Sequence, residues 1–157
     1  MGISGSGKST VGAALARRLD VAYADGDDFH SADNVAKMST GKPLTDADRL
    51  PWLRAVADWL AEHDVNGGVV SCSALRRRYR DILRAGAPDV VFVHLDGDPD
   101  LARQRSAGRH SHFMPADLVA SQEATLEPLQ PDESGIVIDF GQPFDGQLKA
   151  ALDGLPS

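Results

Sequence analysis

A short stretch near the amino end constrains the fold more than any other part of this chain. Gly2-Ile3-Ser4-Gly5-Ser6-Gly7-Lys8-Ser9-Thr10 fits the pattern G-x-x-x-x-G-K-[S/T], a phosphate-binding P-loop. Each residue type has a separate reason. The glycines open backbone conformations closed to other residues and let the chain come close to a phosphate. Successive N–H groups then line an anion-binding concavity, to which Ser4, Gly5, Ser6, Gly7 and Thr10 contribute. Lys8 has the reach for the β- and γ-phosphates, and the Ser9 hydroxyl can ligate Mg²⁺. Helix-forming residues follow from Val11 to Leu19, so a helix N-terminus adds its positive dipole end. The loop should also be fed by a strand, yet only Met1 precedes it.

Further along, apolar runs alternate with helical patterns. Val21 to Ala24, Val69 to Cys72, Val90 to Leu95 and Ile136 to Asp139 read as buried strands. Helices are expected over 74–85, from Asp98-Pro99 onward, over 115–126 and over 144–155. Thr45 or Asp46 is a candidate N-cap for a helix whose Trp52, Leu53, Val56, Trp59 and Leu60 form a core stripe. This alternation predicts an α/β domain: a parallel sheet covered by helices on both faces. Two insertions interrupt it, around 29–65 and 106–114. They suit an acceptor-binding flap and a lid on a single P-loop kinase domain spanning 1–157.

The first strand ends in Asp25-Gly26-Asp27-Asp28. Ligands of open α/β sheets gather at the carboxyl ends of strands. There Asp25 could hold a Mg²⁺-bound water and Asp27 could accept a proton from a hydroxyl, although an acidic surface turn has the same composition. Ser71 and Ser73 stand at a second strand end, where they too could hold a metal-bound water. Cys72 reads as packing. Arg76 and Arg80 share one helix face, while Arg77, Arg78 and Arg84 read as a solvated basic face.

Composition narrows the partners. A formal net charge of −7 over 157 residues argues against a nucleic-acid footprint. One cysteine excludes an internal disulfide and suits a reducing compartment. No apolar run is long enough to span a bilayer and no signal-peptide pattern is present, so a cytoplasmic protein is expected.

Several blocks together resemble the bacterial gluconokinases. They are the P-loop, Asp25-Gly26-Asp27 with His30, Asn34 with Lys37-Met38, Gly41 with Pro43-Leu44, and Asp46 with Asp48-Arg49 and Pro51-Trp52-Leu53. Ser71-Cys72-Ser73-Ala74-Leu75 with Arg80-Asp81, His112-Phe113-Met114, and Ser121-Gln122 with Leu126-Glu127 extend the match over nearly the whole chain. The resemblance implies a fold similar to nucleoside monophosphate and shikimate kinases, and commonly a homodimer. It implies transfer of a phosphoryl group from ATP, with Mg²⁺, to the 6-hydroxyl of D-gluconate. Asp27 would bind the acceptor and act as base, and Asp25 and Ser9 would sit around the metal. Arg105 would lie against adenine and Arg109 would reach phosphates. His30, Lys37, Arg49, Arg80, His112 and Gln122 would line the sugar-acid pocket.

Family members carry apolar residues before the P-loop that form the sheet's central strand. Met1 stands where that strand should be ending, so a truncated first strand, or another element in its place, is expected. Its neighbours would then be left with unpaired ladder groups and a slot between them. Other readings of the same residues are a kinase for a shikimate-like or nucleotide acceptor and a nucleotide-binding module without catalysis. A GTPase-like switch lacks its guanine-reading N-K-x-D.

Overall fold

The computed structural model describes residues 1–108 and 117–157. Lys8–Leu19 forms α1, and Ala22–Asp25 forms β1. A 3-10 turn over Gly26–Phe29 leads into α2 (Ala32–Ser39) and α3 (Asp46–Glu62). Then come β2 (Gly68–Ser71), α4 (Arg77–Gly86), β3 (Phe92–Asp96) and α5 (Pro99–Ala107). Finally α6 (Asp117–Thr125), β4 (Gly135–Asp139) and α7 (Phe144–Asp153) complete the described elements.

Local chemistry accounts for most boundaries. Thr45 caps α3 in a reciprocal capping box with Asp48, and Asp98 caps α5 with Pro99 in its first turn. Two of the boundaries that differ from expectation have a clear local cause. The helix expected from Ala74 starts at Arg77, because Ala74 is left-handed with φ 45°. The strand expected from Val90 starts at Phe92, because the Val90 N–H turns back to the Ala87 carbonyl and the partner strand begins at Gly135.

Every described strand pair is parallel, but the pairs form two separate halves. β1 lies beside β2, with Tyr23 opposite Val69, and β3 lies beside β4, with His94 opposite Val137. Between β2 and β3 stands Met1. Its carbonyl accepts from Leu95 N at 2.9 Å, and the next residue, Gly2, donates to Ser73 O at 3.2 Å. Met1 and Gly2 thus bridge the two halves at this point.

Helix α1 packs closely on β1 and β2. A Cβ on Gly12 would stand 2.6 Å from Ser71 Oγ, and that hydroxyl donates to the Lys8 carbonyl at 2.9 Å. Ser71 thus anchors the helix that follows the P-loop, instead of facing a metal-bound water. Of the expected α3 stripe, Trp52, Leu53, Val56 and Leu60 are buried with Leu83 and Tyr79 of α4 in the main apolar cluster, and Trp59 packs against it partly buried. At the closing helix α7, Leu148 and Ala151 are buried, whereas Phe144 is exposed.

Candidate active site

The P-loop wraps the start of α1. Gly7 is left-handed at φ 94°, and α1 begins with no side-chain cap and no acid in its first turn. An anion at this helix start would meet no capping side chain and no first-turn acid among the described residues. Gly5 is also left-handed, and a Cβ there would lie 2.0 Å from the Ala102 carbonyl, so α5 presses directly on the loop. Two further bonds tie the loop down. Ser4 N donates to Gln122 Oε1 at 2.6 Å, and Ser4 Oγ lies 3.1 Å from Ser106 Oγ, both hydroxyls being buried. Lys8 Nζ donates to the Ile3 carbonyl at 2.9 Å, inside the curl of the loop.

The acids come to this loop from the end of β1. Asp25 accepts from Ser9 Oγ with one oxygen and from Asp27 N with the other, each at 3.0 Å. The aspartate that caps the 3-10 turn is therefore also the one that meets the P-loop serine. Lys8, Ser9, Asp25, Asp27, Ser73 and Gln122 line one small cleft. A serine hydroxyl beside a carboxylate is a hard oxygen donor set of the kind Mg²⁺ takes. Among the described residues no three or more His, Cys, Asp or Glu side chains gather as a metal cage. The set therefore fits an ion that keeps water and phosphate ligands.

Of the other expected acceptor residues, His30 follows the 3-10 turn, Lys37 is on α2 and Arg49 is on α3. His30 stacks on Trp52 with ring centroids 4.2 Å apart, and Trp52 Nε1 donates to the Gly26 carbonyl at 2.7 Å. Burial lowers the His30 pKa to about 4; the Asp27 charge opposes this shift and the Arg49 charge adds to it. Arg49 Nη1 donates to Tyr79 Oη at 2.8 Å, and Tyr79 in turn donates to Asp46. Lys37 pairs with Asp48 at 2.6 Å, joining α2 to the start of α3. Asn34 Nδ2 donates to the Asp48 carbonyl on the same seam.

Two expectations are corrected. Arg80 does not line the cleft. It is fully buried, bound bidentately to Glu133, and donates to the carbonyls of Ala74, Leu75, Glu127 and Pro128. All its donors are committed to tying α4 to the segment after α6. Nor is Arg77 a solvated charge. It reaches Asp81 on its own helix and Asp132 across the chain. Arg105 donates to the Phe140 carbonyl at 3.2 Å and lies over the Phe140 ring. Arg109, His112 and most of the 106–114 lid fall outside the described residues. Cys72 is buried with its thiol pKa pushed up to about 11 by that burial, so packing is its role.

Residues to which sequence reasoning gave no role in the site also shape it. Trp52 is both core and the surface against which His30 lies. Tyr79 holds Arg49, and Ser106 touches the loop at Ser4. Nothing in their local sequence distinguishes them, because each acts on a partner at least 22 positions away.

A parallel α/β sheet, a P-loop and an acid pair at the neighbouring strand end define a P-loop kinase. The family model described as "Shikimate kinase" matches residues 4–128. Within that class the chain belongs to the gluconokinase family. It is 50% identical over 135 residues to the gluconokinase of Gluconobacter oxydans, covering 85% of this chain and 76% of that one. With the thermoresistant gluconokinase of Escherichia coli it shares 38% identity over 156 residues, 98% of this chain and 89% of that one. A solved gluconokinase from Sinorhizobium meliloti superposes with a TM-score of 0.88 at 44% identity, covering 98% of this chain and 87% of the other.

Proposed function

We propose that this protein transfers the γ-phosphoryl group of ATP to the 6-hydroxyl of D-gluconate, giving 6-phosphogluconate and ADP. The observation that carries the reading is the junction of Ser9, Asp25 and Asp27 at the mouth of the P-loop, on a chain whose relatives are gluconokinases.

The loop amides at the start of α1 and the Lys8 ammonium would hold the β- and γ-phosphates of ATP, while Ser4, whose N–H donates to Gln122, would shape the loop. Ser9 and Asp25 would hold Mg²⁺, which when bound draws negative charge from the phosphate oxygens. Asp27 would accept the hydrogen of the attacking hydroxyl and so aim its oxygen at the γ-phosphorus. Phosphoryl transfer depends mostly on alignment and charge neutralisation, so placement of Lys8 and Asp27 should count for more than basicity. Arg105, from its place beside Phe140, would lie against adenine, and Arg109 would reach the phosphates.

Gluconate offers one carboxylate and a row of hydroxyls. Arg49 and Lys37 are the cations of the acceptor side, while His30, Gln122 and His112 supply neutral hydrogen-bonding groups. With its pKa at about 4, His30 is neutral at physiological pH and meets hydroxyls as both donor and acceptor. Residues 29–65 would act as the acceptor flap and 106–114 as the lid of one domain. No helix among the described residues is long and apolar enough to cross a membrane. A cytoplasmic homodimer without nucleic-acid or membrane partners completes the reading.

Coupled ADP release over gluconate, other sugar acids, shikimate and nucleoside monophosphates tests it. Gluconate should be strongly preferred. Equal or faster turnover of shikimate or a nucleotide would overturn the acceptor assignment.

A further inference from the structure

Two hydroxyls stand between α1 and the strands it covers. Tyr23 belongs to β1 and Ser71 ends β2. Tyr23 precedes Asp25 by two residues, so both side chains leave β1 on one face, and both meet α1. Ser71 is buried, and its Oγ donates to the Lys8 carbonyl at 2.9 Å and lies 3.0 Å from Tyr23 Oη. A serine hydroxyl carries one hydrogen, and here it goes to Lys8. The 3.0 Å contact is therefore made by the Tyr23 hydrogen, so the chain runs from Tyr23 to Ser71 to the Lys8 carbonyl. Tyr23 Oη also comes to 3.5 Å from the Ser9 carbonyl. Burial raises the Tyr23 pKa; the Ser71 bond opposes this and the Asp25 and Asp27 charges add to it, so the phenol keeps its hydrogen at neutral pH. Gly12, one turn after Lys8, admits the helix to this distance. A Cβ there would lie 2.6 Å from Ser71 Oγ and 3.1 Å from Tyr23 Cε2.

We propose that Tyr23 and Ser71 are positioning residues for phosphoryl transfer: their hydrogen-bond chain holds the backbone of the first turn of α1, from which Lys8 and Ser9 reach the nucleotide. The inference rests on the kinase reading above. Asp25 holds the same turn through the Ser9 side chain, whereas this pair holds it through the Lys8 carbonyl. Without the chain, Lys8 and Ser9 keep their chemistry but lose their placement. A reaction that depends on alignment then slows. The two hydroxyls act as one unit, because removing Ser71 leaves Tyr23 with no oxygen through which to reach Lys8.

The test uses Tyr23→Phe, Ser71→Ala, the double variant and Gly12→Ala. With gluconate as acceptor, Tyr23→Phe should lower kcat about 5-fold and Ser71→Ala about 10-fold, the scale of one neutral hydrogen bond. Gluconate KM should stay unchanged, and ATP binding by calorimetry should weaken several-fold. The double variant should match Ser71→Ala instead of multiplying the two losses. Gly12→Ala keeps both hydroxyls but presses the helix off them, and should show the same split between kcat and gluconate KM. Unchanged kcat and ATP affinity in the single variants, multiplied losses in the double, or a raised gluconate KM in place of the kcat loss would overturn the proposal. So would a fall in urea stability with kcat intact in the folded protein. If Ser71→Ala does not fold, Tyr23→Phe decides alone, since it removes one oxygen from a partly buried ring. Absence of gluconate-dependent ADP release in the wild type would strike the acceptor reading, and ATP binding by Tyr23→Phe would still judge the pair.

Discussion

Ser9 Oγ lies 3.0 Å from Asp25 Oδ2, so the first turn of α1 and the end of β1 meet at a single hydrogen bond. The same carboxylate holds the amide of Asp27 with its other oxygen. The P-loop serine and the Asp27 amide are thus both held by one side chain. Asp25→Asn keeps the shape but removes the charge. It should lower turnover by roughly 10²-fold, with a raised Mg²⁺ requirement, on the scale of losing one electrostatic contact to the transition state. Titrating activity against Mg²⁺ in both proteins checks this; an unchanged requirement would remove Asp25 from the metal.

Lys8→Ala and Asp27→Asn should separate the two substrates. Each should cut turnover by about 10² or more, as expected for groups that act on the transferring phosphoryl. Asp27→Asn should leave ATP affinity nearly unchanged, whereas Lys8→Ala should weaken it. Calorimetric ATP binding beside steady-state kinetics distinguishes them, and wild-type turnover in either variant would refute that residue's role.

Gly5 tests how α5 supports the loop. An added methyl would meet the Ala102 carbonyl at 2.0 Å, in a left-handed backbone that alanine resists. Gly5→Ala should cost about 2 kcal/mol or more, the range for strain at a special backbone position. ATP binding should fall with it, because the loop must leave α5 to make room. Urea melts and ATP titration of Gly5→Ala, set against Gly41→Ala, provide the comparison. Gly41 shares the positive φ but has nothing within 4 Å of a Cβ.

The buried pair Arg80–Glu133 should be the most costly single break in the fold. Removing one partner leaves the other charge buried and alone, typically a loss of about 3–5 kcal/mol. Burial opposes ionisation of Glu133, but the Arg80 contact, the Gln130 amide and the nearby Arg77 charge together outweigh it and hold the carboxyl below its ordinary range. That contribution is present above the carboxylate range and is lost as pH falls through it. Glu133→Gln should therefore lower the melting temperature at neutral pH and flatten its dependence on acid, without changing substrate KM in the protein that remains folded. A changed KM at full stability would return Arg80 to the acceptor pocket.

His94 is buried, and neither ring nitrogen has a hydrogen-bond partner among the described residues. Burial and the nearby amino terminus lower its pKa from 6.5 to about 4, and His30 is lowered to the same value. Both rings bind protons more readily in the unfolded chain. Stability should therefore rise as pH increases from about 4 to 6.5 and level off above that. His94→Leu should gain about 1 kcal/mol at neutral pH by removing two unsatisfied polar atoms, and should shrink the acid dependence. Urea unfolding at pH 5 and pH 7.5 checks both; a loss of stability at pH 7.5 would show that the ring makes a contact the fold needs.

Local features of the chain were legible before any coordinates. The P-loop and its helix, the Thr45 and Asp98 caps and the apolar stripe of α3 each depend on residues a few positions apart. Their spacing suffices to determine the element. What only the tertiary structure decided were pairings across long stretches of chain. Arg80 looked like a guanidinium fork for an anionic substrate, and its helix position allows that. Its fate was settled by Glu133, 53 positions away, which the topology brings under α4. Ser4 meets Ser106 across 102 positions for the same reason. A side chain's type and spacing state what it can bind, but which partner reaches it depends on how the sheets and helices stack.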